Sequence, residues 1–361
     1  MSNIKAIIFA GGQGTRLWPI SRKNSPKQFK PFLDDSTLMQ KTYSRLNSFL
    51  KCENIYLCTP VDLKDEMKSQ VTVDDEHLIL EPMRKDTGPA IGLATLKIFL
   101  KDPQAIVTNV WADQYIINED KYRESFSTAE EFLNRNPERI FMVGVKPRYP
   151  ETGYGYIKMG RSSDRIGENE IFHVDSFKEK PDLATAQDYI SKWEYLWNPA
   201  MLFFRADHLL NLFAKHSPEI HAGLMRMKEA IGTADEDRVI SEEFEKLPKI
   251  AIDYVINEKE KEMYVMPVDL GWTDVGHWKA IYDILIEGKE GHAVKGAKYV
   301  EIDSSNNLIF SETGQMISTI GVHDSLVIVS KDAILICEKS RAQDVKKIVS
   351  QLASHDLEHL L

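Results

Sequence analysis

Cysteine is scarce, with three residues in a chain of 361. Cys52, Cys58 and Cys337 fit no metal-binding spacing, and reduced thiols in a cytoplasm are the simplest reading. Long apolar runs are missing too. None approaches the roughly 20 residues that cross a bilayer, so no membrane association is expected. "IIFA" near the start is too short for the apolar part of a secretory signal. A basic excess is also absent: 45 Lys and Arg face 55 Asp and Glu, a formal net charge of −10. That argues against nucleic acid as a partner, which calls for a basic face. Anionic small substrates remain open, because Arg16, Arg22, Lys23, Lys27 and Lys30 form a local cluster of the opposite sign. No Ser/His/Asp order suggests a hydrolase triad. His173, His216 and His292 have no companions at metal-ligand spacing.

What is present is an alternation of strand-like and helix-like runs. "KAIIFA" reads as a buried strand, and "LMQKTYSRLNSFL" spaces Leu38, Met39, Tyr43, Leu46 and Leu50 as a helix does. "NIYLCT", "HLILEP", "AIVTNVWAD" and "IFMVGV" read as further strands, with helices over "GPAIGLATLKIFL" and "YRESFSTAEEFLNRN" between them. Such alternation predicts an α/β sheet, mainly parallel and covered by helices, with ligands at the carboxyl ends of the strands. Beyond about residue 150, "TGYGYIKMG" and "FHVDSFKEKP" extend the sheet. "YLWNPAMLFFRADHLLNLF" is a strand entering a helix, and "AIDYVINEK" opens another helix. From Gly291 the texture becomes short strands and turns, with no helix until an amphipathic stretch from Arg341. There Val345, Ile348, Val349 and Leu352 share a side. The expected division is 1–290 for the α/β domain and 291–361 for a small β appendage with a terminal helix.

The stretch "FAGGQGTRLWP" carries the first chemical signal. It lacks the G-x-G-x-x-G spacing of a dinucleotide fold, and Thr-Arg stands where a P-loop has Lys-Ser/Thr. A cradle of another kind remains: Gly11, Gly12 and Gly14 let backbone N–H groups approach phosphate, and Arg16 adds a charged fork. On the glycines alone, a tight strand-to-helix turn with a solvated arginine is the better explanation, and the next segment tips the balance. In "SPKQFKPF", Pro26 and Pro31 stiffen a segment whose Lys27 is placed to clamp a developing charge. Lys30 reads as a surface lysine.

At this point the sequence resembles the mannose-1-phosphate guanylyltransferases of the sugar-1-phosphate nucleotidyltransferase superfamily. "FAGGQGTRLWPISRKNSPKQF" matches their signature. "EPMRKDTGPAIG", "WADQYI", "GYGYIK", "FKEKP", "WNPAMLFFR", "IDYVINEK", "DLGWTDVGHW" and "SRAQDVKKIV" follow in the family's order. The resemblance implies a Rossmann-like, GT-A-like catalytic domain with a β-helix-like appendage that helps form a homodimer. It implies transfer of GMP from GTP to α-D-mannose 1-phosphate, giving GDP-mannose and pyrophosphate with Mg²⁺. Gly11, Gly12, Gly14, Thr15 and Gly88 would then bind nucleotide. Arg16 would hold the departing pyrophosphate, and Lys27 would neutralise charge at the α-phosphorus. Glu81 would meet guanine, whose N1–H and exocyclic amine are two parallel donors. Asp113 and Asp274 would be the metal ligands, Asp113 also touching nucleotide. Lys180 would hold the sugar phosphate, with Glu179, Asn198 and Gly155 completing the sugar pocket. Longer relatives carry a cupin-like isomerase domain after the last of these motifs; that activity is expected to be absent here.

The sequence departs from the family's pattern at several loops. Trp111, Ala112, Asp113 and Gln114 stand for Pro-x-Asp-His. Asn198, Pro199 and Ala200 replace Asn, a small residue and Gly. Asp86, Thr87, Gly88 and Pro89 replace Asn-Thr-Ala-Pro. His277 replaces the Ser of Gly-Ser-Trp. These changes bear on the sugar more than on the reaction. A different sugar 1-phosphate is the alternative substrate, and a non-catalytic nucleotide-sugar regulator the alternative class.

Overall fold

The structure, a computed structural model, describes residues 3–355 and 357–361. Ten strands form one mixed sheet. From one edge it runs Leu78–Glu81, Ile55–Pro60, Lys5–Phe9, Ile106–Trp111, Leu202–Arg205, Ile140–Gly144, Met263–Pro267, Asn169–Lys178, Gly155–Ile166 and Tyr195–Asn198. The first four are mutually parallel. Leu202–Arg205 runs against both its neighbours, and the two strands after it are parallel again. The sheet is thus largely parallel, with antiparallel insertions. The central strands are mostly apolar and almost wholly buried, as strands covered on both faces must be, with Thr108 and Asn109 as buried polar exceptions. Lys5–Phe9 hides Ala6, Ile7 and Ile8 completely.

Helix Glu119–Arg135 packs Tyr122, Phe126 and Phe132 on one face of the sheet. Helices Thr87–Lys101 and Ala206–His216 cover the other. Two further helices, Pro218–Ala230 and Glu236–Lys246, occupy a stretch for which the sequence pattern predicts no element, and they complete this second layer. The expected helix at "AIDYVINEK" is a single π-helical turn, Asp253–Asn257.

The C-terminal region is a small β solenoid. Leu308 pairs with Leu326 and Lys298 with Met316, each pair parallel and 18 residues apart. That coil length is a repeat the sequence does not display, because only backbone register and a few inward residues recur. The terminal α-helix begins at Val345, after a 3₁₀ segment Lys339–Asp344, and ends at Leu352. Val345 and Leu352 are buried, whereas Ile348 is exposed. The solenoid shares a core with the N-terminal signature: Leu17, Trp18 and Phe32 pack with Trp278, Phe310, Leu326 and Val345.

Candidate active site

The chain leaves the central strand Lys5–Phe9 and enters the glycine loop. Gly14 lies in the left-handed region, at φ 63°. A Cβ there would stand 2.7 Å from Ser21 Oγ and 2.8 Å from Lys27 Cγ. The third glycine is therefore required by the lysine that passes behind it. A Cβ on Gly12 would meet nothing within 4 Å, so that side of the loop is open for a ligand. Thr15 begins a short 3₁₀ turn that carries Arg16 at the rim. The Arg16 guanidinium hydrogen-bonds to nothing among the described residues, yet its field reaches Asp274 and His277.

Lys27 is buried, with 7% of its surface exposed. Its Nζ lies 2.9 Å from Asp113 Oδ2 and 3.5 Å from Asp274 Oδ1, and it donates to the Val275 carbonyl at 3.0 Å. Burial alone would lower its pKa. The Asp113 carboxylate, then that of Asp274, outweigh burial, and the net shift is upward. Asp113 follows the strand Ile106–Trp111. Asp274 belongs to a two-residue strand, Thr273–Asp274, that pairs antiparallel with Gln114–Tyr115. That ladder is what brings two aspartates, 161 positions apart in sequence, to one ammonium. Burial raises the pKa of Asp274, and its neighbour Asp113 adds to the shift.

Two cavities flank this centre. The first is walled by Phe9, Gly11, Pro60, Glu81 and Trp111. Glu81 is 6% exposed. Burial pushes its pKa up to about 7, against the pull of the Cys58 thiol at 3.7 Å and of Arg84. The second holds Gly155, Glu179, Lys180 and Asn198, together with Asp253 and Gln114. A Cβ on Gly155 would fall 2.5 Å from Glu179 Oε2. Glycine there lets the carboxylate reach the cavity. Trp111 and Asp113 line both cavities, so these are two arms of one cleft.

Gly11, Gly12, Glu81, Asp113, Gly155, Glu179, Lys180, Asn198 and Asp274 thus line one cleft, with Lys27 against its two aspartates and Arg16 within the field of Asp274. Gly88 does not reach it. Its amide donates to the Ile250 carbonyl at 2.9 Å, and a Cβ would stand 2.7 Å from that oxygen. Thr87 beside it lines both cavities instead. The basic cluster also divides. Arg22 turns away to Asp332 and to the carbonyls of Pro19 and Leu360. The departures interlock: Gln114 Nε2 donates to the Pro199 carbonyl, and Trp111 Nε1 donates to the Ala200 carbonyl at 2.7 Å. Ala200 stands at φ 55°, where glycine is the unstrained residue. His277 caps the helix Trp278–Ile286, its Nδ1 accepting from the Ala280 amide at 3.2 Å. A neutral imidazole here caps the helix as a serine hydroxyl can. Burial, then Arg16, lowers its pKa to about 4, which keeps the ring a neutral acceptor. Trp111, Thr87 and Asp253 line the cleft without having been expected there. For Asp253 the one signal in the sequence is its place in "IDYVINEK", a matching motif whose pattern marks no single residue.

The sequence matches the family model Nucleotidyl transferase over residues 5–289. The chain belongs to the nucleotidyl transferase family. A second model, MannoseP isomerase/GMP-like beta-helix domain, matches residues 297–352. A mannose-1-phosphate guanylyltransferase from Escherichia coli K12 is 35% identical over 360 residues, 97% of this chain and 74% of that protein. The xanthan biosynthesis protein XanB of Xanthomonas campestris strain B100 is 33% identical, over 98% of this chain and 74% of its own length. The crystal structure of a mannose-1-phosphate geranyltransferase from Thermus thermophilus matches with a TM-score of 0.86 at 29% identity, covering 98% of this chain and all of that one. The resemblance read from the motifs is borne out. In this nucleotidyltransferase Lys27, Asp113 and Asp274 meet where the two arms of the cleft join.

Proposed function

We propose that the protein transfers GMP from GTP to α-D-mannose 1-phosphate, giving GDP-mannose and pyrophosphate. The observation that carries this reading is the position of Lys27 and the Asp113–Asp274 pair, at the junction of an apolar-walled cavity ending in Glu81 and a polar one containing Glu179. Guanine enters the first arm, where ionised Glu81 accepts from N1–H and the exocyclic amine. The hexose enters the second. The sugar phosphate oxygen then meets the α-phosphorus between them. A new P–O bond forms as the bond to pyrophosphate breaks, and no covalent enzyme intermediate is needed. Catalysis consists of positioning and charge neutralisation. Lys27 opposes the charge gathering at phosphorus. The glycine-loop amides and Arg16 hold the departing pyrophosphate, and Lys180 holds the sugar phosphate.

Asp113 and Asp274 fit a magnesium site. One oxygen of each faces the Lys27 ammonium, which leaves Asp113 Oδ1 and Asp274 Oδ2 as the hard donors that would hold an ion; Mg²⁺ is bound by one or two carboxylates plus substrate phosphates and water. When bound, the ion supplies Lewis acidity and offsets repulsion between two anionic substrates.

The product would serve polysaccharide synthesis in a cytoplasmic setting. Among the described residues no helix is long and apolar enough to cross a membrane. A homodimer is part of the proposal: the solenoid exposes Val300, Ile302, Met316 and Ile320 on two paired strands, an apolar face that a second copy would cover. The deciding experiment is pyrophosphate release measured across four nucleoside triphosphates and a panel of sugar 1-phosphates. GTP with mannose 1-phosphate is the expected best pair. Turnover of another sugar alone, glucose 1-phosphate first, would replace mannose and leave nucleotidyl transfer standing.

A further inference from the structure

The sugar arm of the cleft contains a carboxyl that the mechanism above leaves without a task. Asp253 opens the π-helical turn Asp253–Asn257, which follows the helix Glu236–Lys246 and precedes the strand Met263–Pro267. Single π-helical turns recur at functional sites because they re-aim a side chain that a regular helix would point elsewhere. Here the turn sets Asp253 in the cavity wall with Glu179, Lys180 and Asn198.

Its hydrogen bonds are lopsided. Asn257 Nδ2 donates to Oδ1 at 2.9 Å, and Asn198 Nδ2 approaches the same oxygen at 3.4 Å. Oδ2 accepts from no other side chain among the described residues, and it is not among the sealed polar atoms that lack a partner. It therefore opens on the cavity. No cation pairs with it directly among the described residues: the Lys180 ammonium is bonded to Glu179, and only its field reaches Asp253. Burial, then the Glu179 carboxylate, raises the pKa of Asp253 to about 6. A half-satisfied acceptor facing a cavity, beside a second carboxyl, calls for a neutral donor. At Oδ2 itself a phosphate oxygen would meet a second acceptor and not a donor. A hydroxyl fits.

We propose that Asp253 is a second sugar-reading residue, its Oδ2 accepting a hydrogen bond from one hexose hydroxyl while Glu179 accepts from another. The inference rests on the sugar 1-phosphate reading above. Asn257 and Asn198 act as positioning residues, fixing Oδ1 so that Oδ2 faces the ring. The pair demands free hydroxyls at two carbons and rejects deoxy, O-methyl or acetamido groups there.

The test uses the full chain, GTP, mannose 1-phosphate and its monodeoxy analogues. Asp253→Asn keeps the shape and removes the charge. Its KM for the sugar phosphate is expected to rise about 10- to 100-fold, the range for a lost hydrogen bond to a charged group, with KM for GTP unchanged. The penalty that the native protein shows for one deoxy analogue should vanish in Asp253→Asn, while penalties at other carbons persist. Glu179→Gln should erase a penalty at a different carbon. An unchanged deoxy profile in Asp253→Asn overturns the proposal. Should that variant lose its fold by circular dichroism, the native profile decides together with Glu179→Gln. Penalties at two carbons, only one of them erased in Glu179→Gln, sustain the proposal, and a penalty at one carbon overturns it. If another sugar phosphate proves to be the substrate, the same analogues of that sugar judge Asp253 separately from the mannose assignment.

Discussion

The ammonium of Lys27 lies 2.9 Å from the carboxylate of Asp113, held there by a lysine side chain that threads behind Gly14. This pair sets the charge at the centre of the cleft before any substrate arrives. Lys27→Met keeps most of the volume and deletes the charge. It is expected to lower kcat about 10²- to 10³-fold, as removal of one preorganised charge-stabilising donor does. Stopped pyrophosphate-release assays measure this, with circular dichroism confirming the fold. Activity within threefold of native, taken as roughly the noise of such a comparison, would remove Lys27 from the mechanism.

The two aspartates give a separate expectation. Activity should disappear in EDTA and return with Mg²⁺. Asp113→Asn and Asp274→Asn should each require more Mg²⁺ for half-maximal rescue, because each removes one hard donor. Full turnover in EDTA contradicts the metal assignment.

Glu81 predicts a pH dependence. Its pKa is raised by burial to about 7, above its ordinary value of 4.5. Between those values the folded chain holds a proton that the unfolded chain has released, so stability falls as pH rises through that window. Guanine recognition needs the ionised form, so KM for GTP should rise as pH drops from 8 to 6. Glu81→Gln should abolish the preference for GTP. It should also raise thermal stability at pH 8 relative to native, by up to about 3 kcal/mol for a shift of this size. Equal melting temperatures at pH 8 and an unchanged nucleotide preference would refute both halves.

Ala200 sits at φ 55° with its carbonyl pinned by Trp111. Ala200→Gly relieves left-handed strain of about 1–2 kcal/mol and gives back about 0.4–1 kcal/mol through a freer unfolded chain. A net gain of roughly 0.5–1 kcal/mol is expected in urea denaturation, with use of mannose 1-phosphate retained or improved. A loss of stability would show that the alanine methyl packs favourably at this corner.

His277 should tolerate serine and resist alanine. His277→Ser retains an acceptor for the Ala280 amide, whereas His277→Ala leaves it open at a cost of about 1 kcal/mol. Thermal melts of the two variants distinguish a cap from a phosphate ligand. A ligand role would instead appear as an equal loss of turnover in both, without a difference in melting.

Much of the site is legible in the sequence because its residues end strands or sit in glycine and proline punctuation. Glu81 and Asp113 follow apolar runs that can only be sheet, and a sheet delivers its strand ends to one face. Lys27 and Lys30 share one proline-stiffened segment, and it is burial against Asp113 and Asp274 that sets Lys27 apart. Other assignments depend on distant partners. Nothing near Arg22 in sequence announces Asp332 or Leu360, more than 300 positions away. The resemblance assigns Gly88 to the nucleotide, but its small size answers the Ile250 carbonyl. Asp253 stays hidden because its π-helical turn has the apolar spacing of an ordinary helix. The solenoid repeat eludes pattern reading for a related reason: backbone pairing defines each coil, and side-chain identity is free at most positions.

The tie between the signature loop and the chain's last described residues has a dynamic consequence. Trp18 Nε1 donates to the Leu360 carbonyl at 2.9 Å, and Trp278 Nε1 donates to the Trp18 carbonyl at the same distance. Residues far apart in sequence are therefore expected to open together, since they share these bonds and one apolar cluster. In native-state hydrogen exchange, the amides of Leu17–Ser21 should open with those of the solenoid strand Ser325–Val329, as one cooperative unit distinct from the sugar arm. On the proposed mechanism, the loop that carries Arg16 would then loosen whenever the solenoid breathes, although none of the described solenoid residues lines either cavity.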